Sequence, residues 1–280
     1  MDKDIRPSPI SGQWYPGDPD VLAKEVDGYI SNAKNPQING EPVAVITPHA
    51  GYIYSGHVAG HAFSAIKHKQ PELVVVISPM HQAYRQRFLT TGHEYYWTPL
   101  GNIPVDGKAV KDLSTILLDE YRIELTPVRN DREHSLEIEL PFLQRIFHEP
   151  FQLLPIMVRD LSIQYCEALG KGLFDVIVKQ NAVVVISTDL SHFYTKNEAN
   201  GFDSSILKKI QNLDTRGVFQ SEMEGTGFAC GAGAVIAGIH YAKLAGANEG
   251  IILSYSTSGE ITGDNSSVVG YGAAALVKTI

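Results

Sequence analysis

The sequence predicts an α/β protein: one three-layer αβα domain, residues 1–280, built on a mostly parallel central sheet. Three observations carry this. Six short runs rich in Val, Ile and Leu are unbroken by polar alternation, as a sheet covered on both faces requires. Stretches long enough for helices separate them, and strands alternating with helices produce layered α/β units. No Gly/Ser linker, charge block, repeat or low-complexity tract divides the chain, and 280 residues is within the range of one such fold.

Along the chain, residues 20–33 carry a helical pattern and precede the apolar run V-A-V-I at 43–46. A helix over 56–66 leads to a strand at 73–77. Helical patterns follow at 107–118 and 135–147, the second with Asp131 or Ser135 available as an N-cap. A strand at 152–158 precedes a helix at 162–179, whose amphipathic S-I-Q-Y-C-E-A-L segment assigns Cys166 to the core. The strand at 183–186, the helix at 198–213, a Gly-rich lead into the Ala-rich helix at 231–244, and strands at 251–255 and 268–276 complete the pattern.

Composition narrows the function. Hydrophobic residues make up 44% and charged residues 19%, with a mean hydropathy of -0.07, so the chain can bury a sizeable core and is not disordered. No apolar run approaches the ~20 residues that cross a bilayer, and the start M-D-K-D-I-R-P-S lacks an apolar signal core; a soluble, cytoplasmic protein with no membrane partner is expected. Lys and Arg number 23 against 31 Asp and Glu, and the net charge of -8 argues against nucleic acid. Two cysteines, outside any Cys-x-x-Cys pair, build no disulfide framework. G-T-G-F-A-C-G has the wrong glycine spacing for a dinucleotide site, and neither a Walker A motif nor a G-x-S-x-G elbow occurs. His57 and His61 have zincin spacing, but Val58 stands where a general-base Glu is needed, which assigns the pair to helix packing.

The informative motifs lie at strand ends. V-A-V-I-T-P-His49, V-V-V-I-S-P-M-His81 and V-V-V-I-S-T-D-L-S-His192 each place a histidine just past a buried strand, with Pro48 and Pro79 turning the chain out of the sheet. In an open α/β sheet those ends share one edge, beside the crevice where such folds bind ligands. Converging neutral imidazoles suit Zn, Fe or Cu with an open position, and Asp189 could add a ligand or orient one. In D-R-E-H-S-L-E-I-E-L, His134 and Glu137 at i, i+3 share a helix face, which would make His134 a proton donor or acceptor beside the metal. The competing reading of that segment is a solvated acidic first turn. Cys230 in F-A-C-G-A-G precedes a helix start, where free N–H groups are expected to lower a thiol's pKa.

W-Y-P at 14–16, P-H-A-G-Y at 48–52, S-P-M-H at 78–81, E-H-S-L-E at 133–137, S-T-D-L-S-H at 187–192, C-G at 230–231 and D-N-S-S-V-V-G-Y-G-A at 264–273 together resemble the Memo family, whose prokaryotic members are called AmmeMemoRadiSam system protein B. The resemblance implies a fold similar to the LigB-type class III extradiol dioxygenases, non-haem iron enzymes that open catechol rings. It also implies a cytoplasmic setting with an AMMECR-type protein and a radical SAM protein as associates. Position by position it makes His49, His81 and Cys230 metal ligands, with His192 and Asp189 in the same pocket. A cysteine here takes the carboxylate's place in the 2-His-1-carboxylate pattern, so catechol ring-opening is not expected, and Fe(II), Cu and Zn all suit the donors.

Three functions fit such a site. The first is a non-haem metal oxidoreductase holding Fe(II), acting on a small molecule in the crevice, with His134, His192 and Asp189 as catalytic groups and His192 as a further ligand. The second is a zinc hydrolase in which His134 or His192 is the general base. The third is a non-catalytic adaptor that holds a partner in the same cleft.

Overall fold

In the computed structural model, which describes residues 3–279, one nine-stranded sheet is covered by helices on both faces. Its central strands are β2 (Glu41–Thr47), β3 (Leu73–Pro79), β8 (Gln152–Val158) and β9 (Ala182–Ser187). They lie in the order β2-β9-β3-β8 and are mutually parallel. The C-terminal ends of β2, β9 and β3 therefore emerge on one edge, with β9 between the two strands that carry His49 and His81.

The expectation of a mostly parallel sheet describes this centre; the flanks are mixed. β12 (Val268–Lys278) runs antiparallel to β2 and to β11 (Glu249–Thr257), to which it is joined through the short α9 (Gly259–Thr262). β4 (Phe88–Thr91) is antiparallel to β8 and parallel to β7 (Leu125–Val128), and β10 (His192–Tyr194) pairs with the start of β12. A separate three-stranded sheet joins β1 (Ile5–Arg6), β5 (Tyr95–Thr98) and β6 (Gly101–Pro104). These short strands carry no long apolar run, so hydropathy gave no sign of them.

Strand alternation divides the interior into two cores. Ala44, Leu73, Val75, Ile77, Val184 and Ile186 face the layer of α3 (Gly107–Tyr121), α5 (Ile163–Ile177), α6 (Lys196–Gln211), α7 (Thr215–Glu224) and α8 (Ala232–Leu244). Val45, Val74, Val76, Val183 and Val185 face α1 (Pro19–Asn32), α2 (Tyr52–Ile66) and α4 (Leu140–Ile146). Side chains two apart share a face, so a continuous apolar strand supplies both layers at once. Local caps place the helices: the Asp18 side chain accepts from the N–H groups of Asp20 and Val21 before α1, and Thr195 with Glu198 forms a capping box for α6. α7 was not foreseen. Among the described residues no helix is long and apolar enough to cross a membrane.

The segment read as a helix over 135–147 is different. Residues 131–134 are irregular, Glu137–Glu139 forms a single 3-10 turn, and α4 starts only at Leu140. His134 and Glu137 therefore do not share a helix face. Nor is the segment a solvated acidic turn: Asp131, Glu133, Glu137 and Glu139 are all buried. Buried carboxylates need partners. Arg6 of β1, 1% exposed, supplies two of them, donating to Asp131 Oδ1 at 2.7 Å and to Glu137 Oε2 at 2.6 Å, and also to the Glu133 carbonyl at 2.7 Å.

Arg6→Met should cost about 3–5 kcal/mol of folding stability, because it strands two buried carboxylates. Urea denaturation measures it; a loss below about 1 kcal/mol would show that the carboxylates find other partners or water.

Candidate metal centre

The exits of β2 and β3 are two strands apart, yet their histidine rings converge above the end of β9. His49 and His81 have ring centroids 5.3 Å apart in an edge-on arrangement. Beyond Ser187 the chain leaves β9 and crosses the tip of β2: the Thr188 N–H donates to Thr47 O (2.9 Å) and the Leu190 N–H to Gly270 O on β12 (2.8 Å). That crossing sets Asp189 against the P-H-A-G turn, where its Oδ1 accepts the His49 backbone N–H at 2.7 Å.

Cys230 arrives from the α7–α8 loop. Its own N–H donates to Asp189 O (3.2 Å), the Gly231 N–H donates to Thr188 Oγ1 (2.9 Å), and the Asp189 N–H reaches Cys230 Sγ (3.3 Å). Gly231 is required here, since a Cβ would fall 2.5 Å from Ser187 O. The result is a close approach of sulfur to imidazole, with Cys230 Sγ 3.1 Å from His49 Nε2. The ligand atoms of His49, His81 and Cys230 all lie within 4.8 Å of one another.

Each imidazole is oriented by a partner on Nδ1. For His81 the partner is Glu133, whose Oε1 accepts from Nδ1 at 2.9 Å while Oε2 accepts from the His81 backbone N–H. For His49 it is Ser187 Oγ, at 2.8 Å. That hydroxyl is within donating distance of Ser135 O (2.8 Å) and Glu139 Oε1 (2.7 Å), so its proton is committed away from the ring. For His192 it is the Leu190 carbonyl, at 2.8 Å. An ionised carboxylate, a committed hydroxyl and a carbonyl all accept, which puts the proton of a neutral ring on Nδ1 and turns its Nε2 lone pair outward, that of His49 onto the Cys230 thiol 3.1 Å away.

Burial sets the charges. Burial, then repulsion from His134 and His81, holds His49 well below the usual histidine range. His134 is lowered to about 4, chiefly by burial and only partly offset by Glu133. Burial would raise Glu133, but its bonds to His81 and the nearby His134 prevail and keep it ionised. Asp189 is pushed up to about 7 by burial, against the N–H groups of His49 and Ala50. Glu139, fully enclosed, is raised well above the usual carboxyl range by burial. An ionised Glu133 and two acids raised toward neutrality, Asp189 and Glu139, therefore surround the neutral His49 and His134 rings.

The structure thus brings His49, His81 and Cys230 together with Asp189 beneath them. Asp189 orients the His49 backbone. His192 lies close enough to influence His49, but among the described residues it is outside the three-ligand group. His134 stacks on His81 with centroids 4.6 Å apart, and Trp14 closes on its other side at 4.2 Å. His81, Glu133 and His134 form a second compact set, yet the Glu133 oxygens are already occupied by His81 Nδ1 and by the N–H groups of His81, His134 and Ser135. The lowered thiol expected for Cys230 is corrected. Although the residue keeps solvent contact, the protein packed around its sulfur and the Asp189 carboxyl push it above the usual thiol value. α8 begins only at Ala232, and Sγ turns back toward the sheet instead of the helix's free N–H groups. Cys166 is buried as expected and raised to about 12 by burial. Sequence reasoning passed over Glu133, Ser187 and Glu139; all three stand in the quoted motifs, but only burial reveals their role.

Residues 6–275 match the family described as Memo-like protein. A MEMO1 family protein of Nitrosopumilus maritimus is 35% identical, the match covering 98% of this chain and 100% of that one. Another, from Aquifex aeolicus, is 33% identical over 95% of this chain and 97% of its own. Among solved structures, an uncharacterized protein of Escherichia coli K12 has a TM-score of 0.56 at 11% identity, covering 83% of this chain and 99% of that one, which is a likeness of fold. Strand-exit motifs, fold and relatives agree over nearly the whole length: the chain belongs to the Memo family.

Proposed function

We propose that this Memo-family chain is a metal protein that holds one transition ion through His49, His81 and Cys230 and performs redox or oxygen-dependent chemistry on a small molecule in the strand-end crevice. The supporting observation is the convergence of two imidazoles and one sulfur, their ligand atoms within 4.8 Å of one another, each imidazole fixed by a separate Nδ1 partner. Two imidazoles and a thiol suit Fe(II), Cu and Zn, and the resemblance to LigB-type enzymes favours Fe(II). A bound ion would supply Lewis acidity and, for iron or copper, electron exchange. Partnership with AMMECR-type and radical SAM proteins in the cytoplasm belongs to the same proposal.

The chain's own residues define what such a site can do. Glu133 and Ser187 hold the two ligand rings in the Nε2-donor tautomer, and the thiol must lose its proton to bind. Asp189 holds the sulfur in place through its backbone N–H and carbonyl while its carboxyl, near 7, accepts the His49 N–H. His134, neutral at physiological pH, can take a proton from a group bound beside His81, with Trp14 restricting water on its outer face. His192 presents a free Nε2 near the same mouth. A zinc hydrolase would use the same residues with His134 or His192 as base, and metal content separates the two readings.

Anaerobically loaded wild-type protein should carry about one ion per chain by elemental analysis. The His49→Ala/His81→Ala double variant should carry none; unchanged stoichiometry would place the site elsewhere.

The His134 ring should titrate near pH 4 in the metal-free chain, followed by side-chain NMR. Because the unfolded imidazole titrates near 6.5, the unfolded chain binds a proton that the native site refuses between those values. His134 therefore costs stability as pH falls through that window, and His134→Gln should lose less stability than wild type between pH 6.5 and 4. Parallel pH profiles for the two would refute a buried neutral ring.

Simple catechols offered to the Fe(II)-loaded protein should give no substantial ring-fission product, since thiolate donation replaces the carboxylate and exposes sulfur to oxidation. Product from Cys230→Glu alone would agree with this. Robust product from the wild type would reassign it as a ring-opening dioxygenase.

A further inference from the structure

The four central parallel strands all end at the same edge, and each exit carries a polar residue: His49 after β2, His81 after β3, Asp189 and His192 after β9, and Arg159 directly after β8. The first three exits build the candidate metal centre. The fourth has no role in it, although the crevice outside such an edge is where open α/β sheets bind ligands. β8 lies beside β3 with Val158 opposite Pro79, and the Met80 N–H donates to Val158 O at 3.0 Å. The turn bearing His81 therefore rests against the residue that precedes Arg159.

The Arg159 guanidinium reaches over that turn. Its Nη1 donates to the Met80 carbonyl at 3.1 Å and to the Gln82 carbonyl, the two peptide oxygens that bracket His81. A guanidinium carries five N–H groups in one rigid plane. Both on Nη1 are spent on these carbonyls, which fixes the plane beside His81, while those on Nε and Nη2 have no partner among the described residues. The adjacent acid, Asp160, is committed elsewhere: its carboxylate pairs with Arg87 and accepts the Ser162 N–H at 2.5 Å. Arg159 is exposed, so its free edge can be reached from solvent.

An anchored guanidinium without a counter-charge, at the rim of a ligand crevice, selects for anions. Its Nε–Nη2 edge matches two oxygens of one carboxylate or phosphate, and a group pinned by two carbonyls has less freedom to lose on binding. We propose that the substrate of this centre is a small oxyanion, a carboxylate or phosphate compound, held by the Nε–Nη2 edge of Arg159 while the rest of the molecule extends over His81 toward the metal position. Substrate charge is thereby added to the metal-centre reading, on which it rests.

The test is calorimetric titration of metal-free and Co(II)-loaded full-length protein with benzoate, succinate and methyl phosphate, beside benzamide and succinamide as neutral counterparts of the two acids. At least one anion should bind the loaded protein with a Kd of about 1 mM or tighter and shift its visible Co(II) bands; for a carboxylate, the matching amide should bind roughly tenfold more weakly or worse. The tighter of carboxylate and phosphate identifies the substrate group. Arg159→Met should lose about tenfold or more in anion affinity and leave amide binding unchanged, and Arg159→Lys should recover only part, because a point charge has no fork. Since either change also releases the Met80 and Gln82 carbonyls, Co(II) stoichiometry is measured alongside, and the acid–amide difference in the wild type carries the test by itself. A chain that takes up no Co(II) fails the metal reading alone, since anion affinity and its dependence on Arg159 are still read in the metal-free protein. No anion binding at about 10 mM, amides that match their acids, or undiminished anion affinity in Arg159→Met would each overturn the proposal.

Discussion

Four carboxylates within nine residues, Asp131, Glu133, Glu137 and Glu139, are buried, and none can remain there unaccompanied. Each is answered by a different part of the chain. Arg6, from the first strand, answers Asp131 and Glu137; His81, after β3, answers Glu133; Ser187 and Thr47, at the ends of β9 and β2, answer Glu139. One short irregular segment thus ties the N-terminus to three strand exits. Its departure from helical geometry follows from the same need, because the Glu133 carboxylate collects the N–H groups of His134 and Ser135 that a helix would have used differently.

The candidate centre inherits its chemistry from that constraint. His81 is held by an ionised carboxylate, His49 by a hydroxyl whose oxygen leans on a near-neutral acid. The two rings offer the same Nε2 donor, yet the first is backed by full negative charge and the second is not. Cys230 and Asp189 belong to another unit, the crossing strand exit and the α8 lead, locked together by paired backbone contacts. The site is therefore assembled from two rigid halves, one anchored on the acidic segment and one on β9. This limits how far the donor atoms can drift apart.

The same crossing segment links the centre to the far edge of the sheet. Ser191 is pinned by Asp203, and Asp203 by Tyr255, so the loop bearing Asp189 and His192 is braced from the β11 side. Phe193, directly after His192, is 76% exposed and has a φ of 66°, a conformation that bulky residues rarely adopt. That backbone is imposed by its neighbours, with His192 and Tyr194 both paired to β12 across an irregular register.

Much of this was legible in the sequence. The layered fold followed from continuous apolar strands, because burial on both faces forbids polar alternation; strand exits have a local signature that singled out His49, His81 and His192, and the resemblance to the Memo family set Cys230 beside the first two. Short flanking strands escaped, since two to four residues leave no hydropathy pattern. The fate of D-R-E-H-S-L-E-I-E-L escaped for a deeper reason. Acidic residues at a helix start look solvated, and only contact with Arg6, some 125 residues away in sequence, turns them into a buried frame. The sign of the Cys230 shift was likewise undecidable from position alone, because a thiol's proton responds to where the sulfur points and what encloses it. Sequence determined the layers, the strand exits and the donor types; tertiary structure decided ring tautomers, carboxylate ionisation and which donors meet, because those depend on burial and on distances between residues that no local pattern encodes.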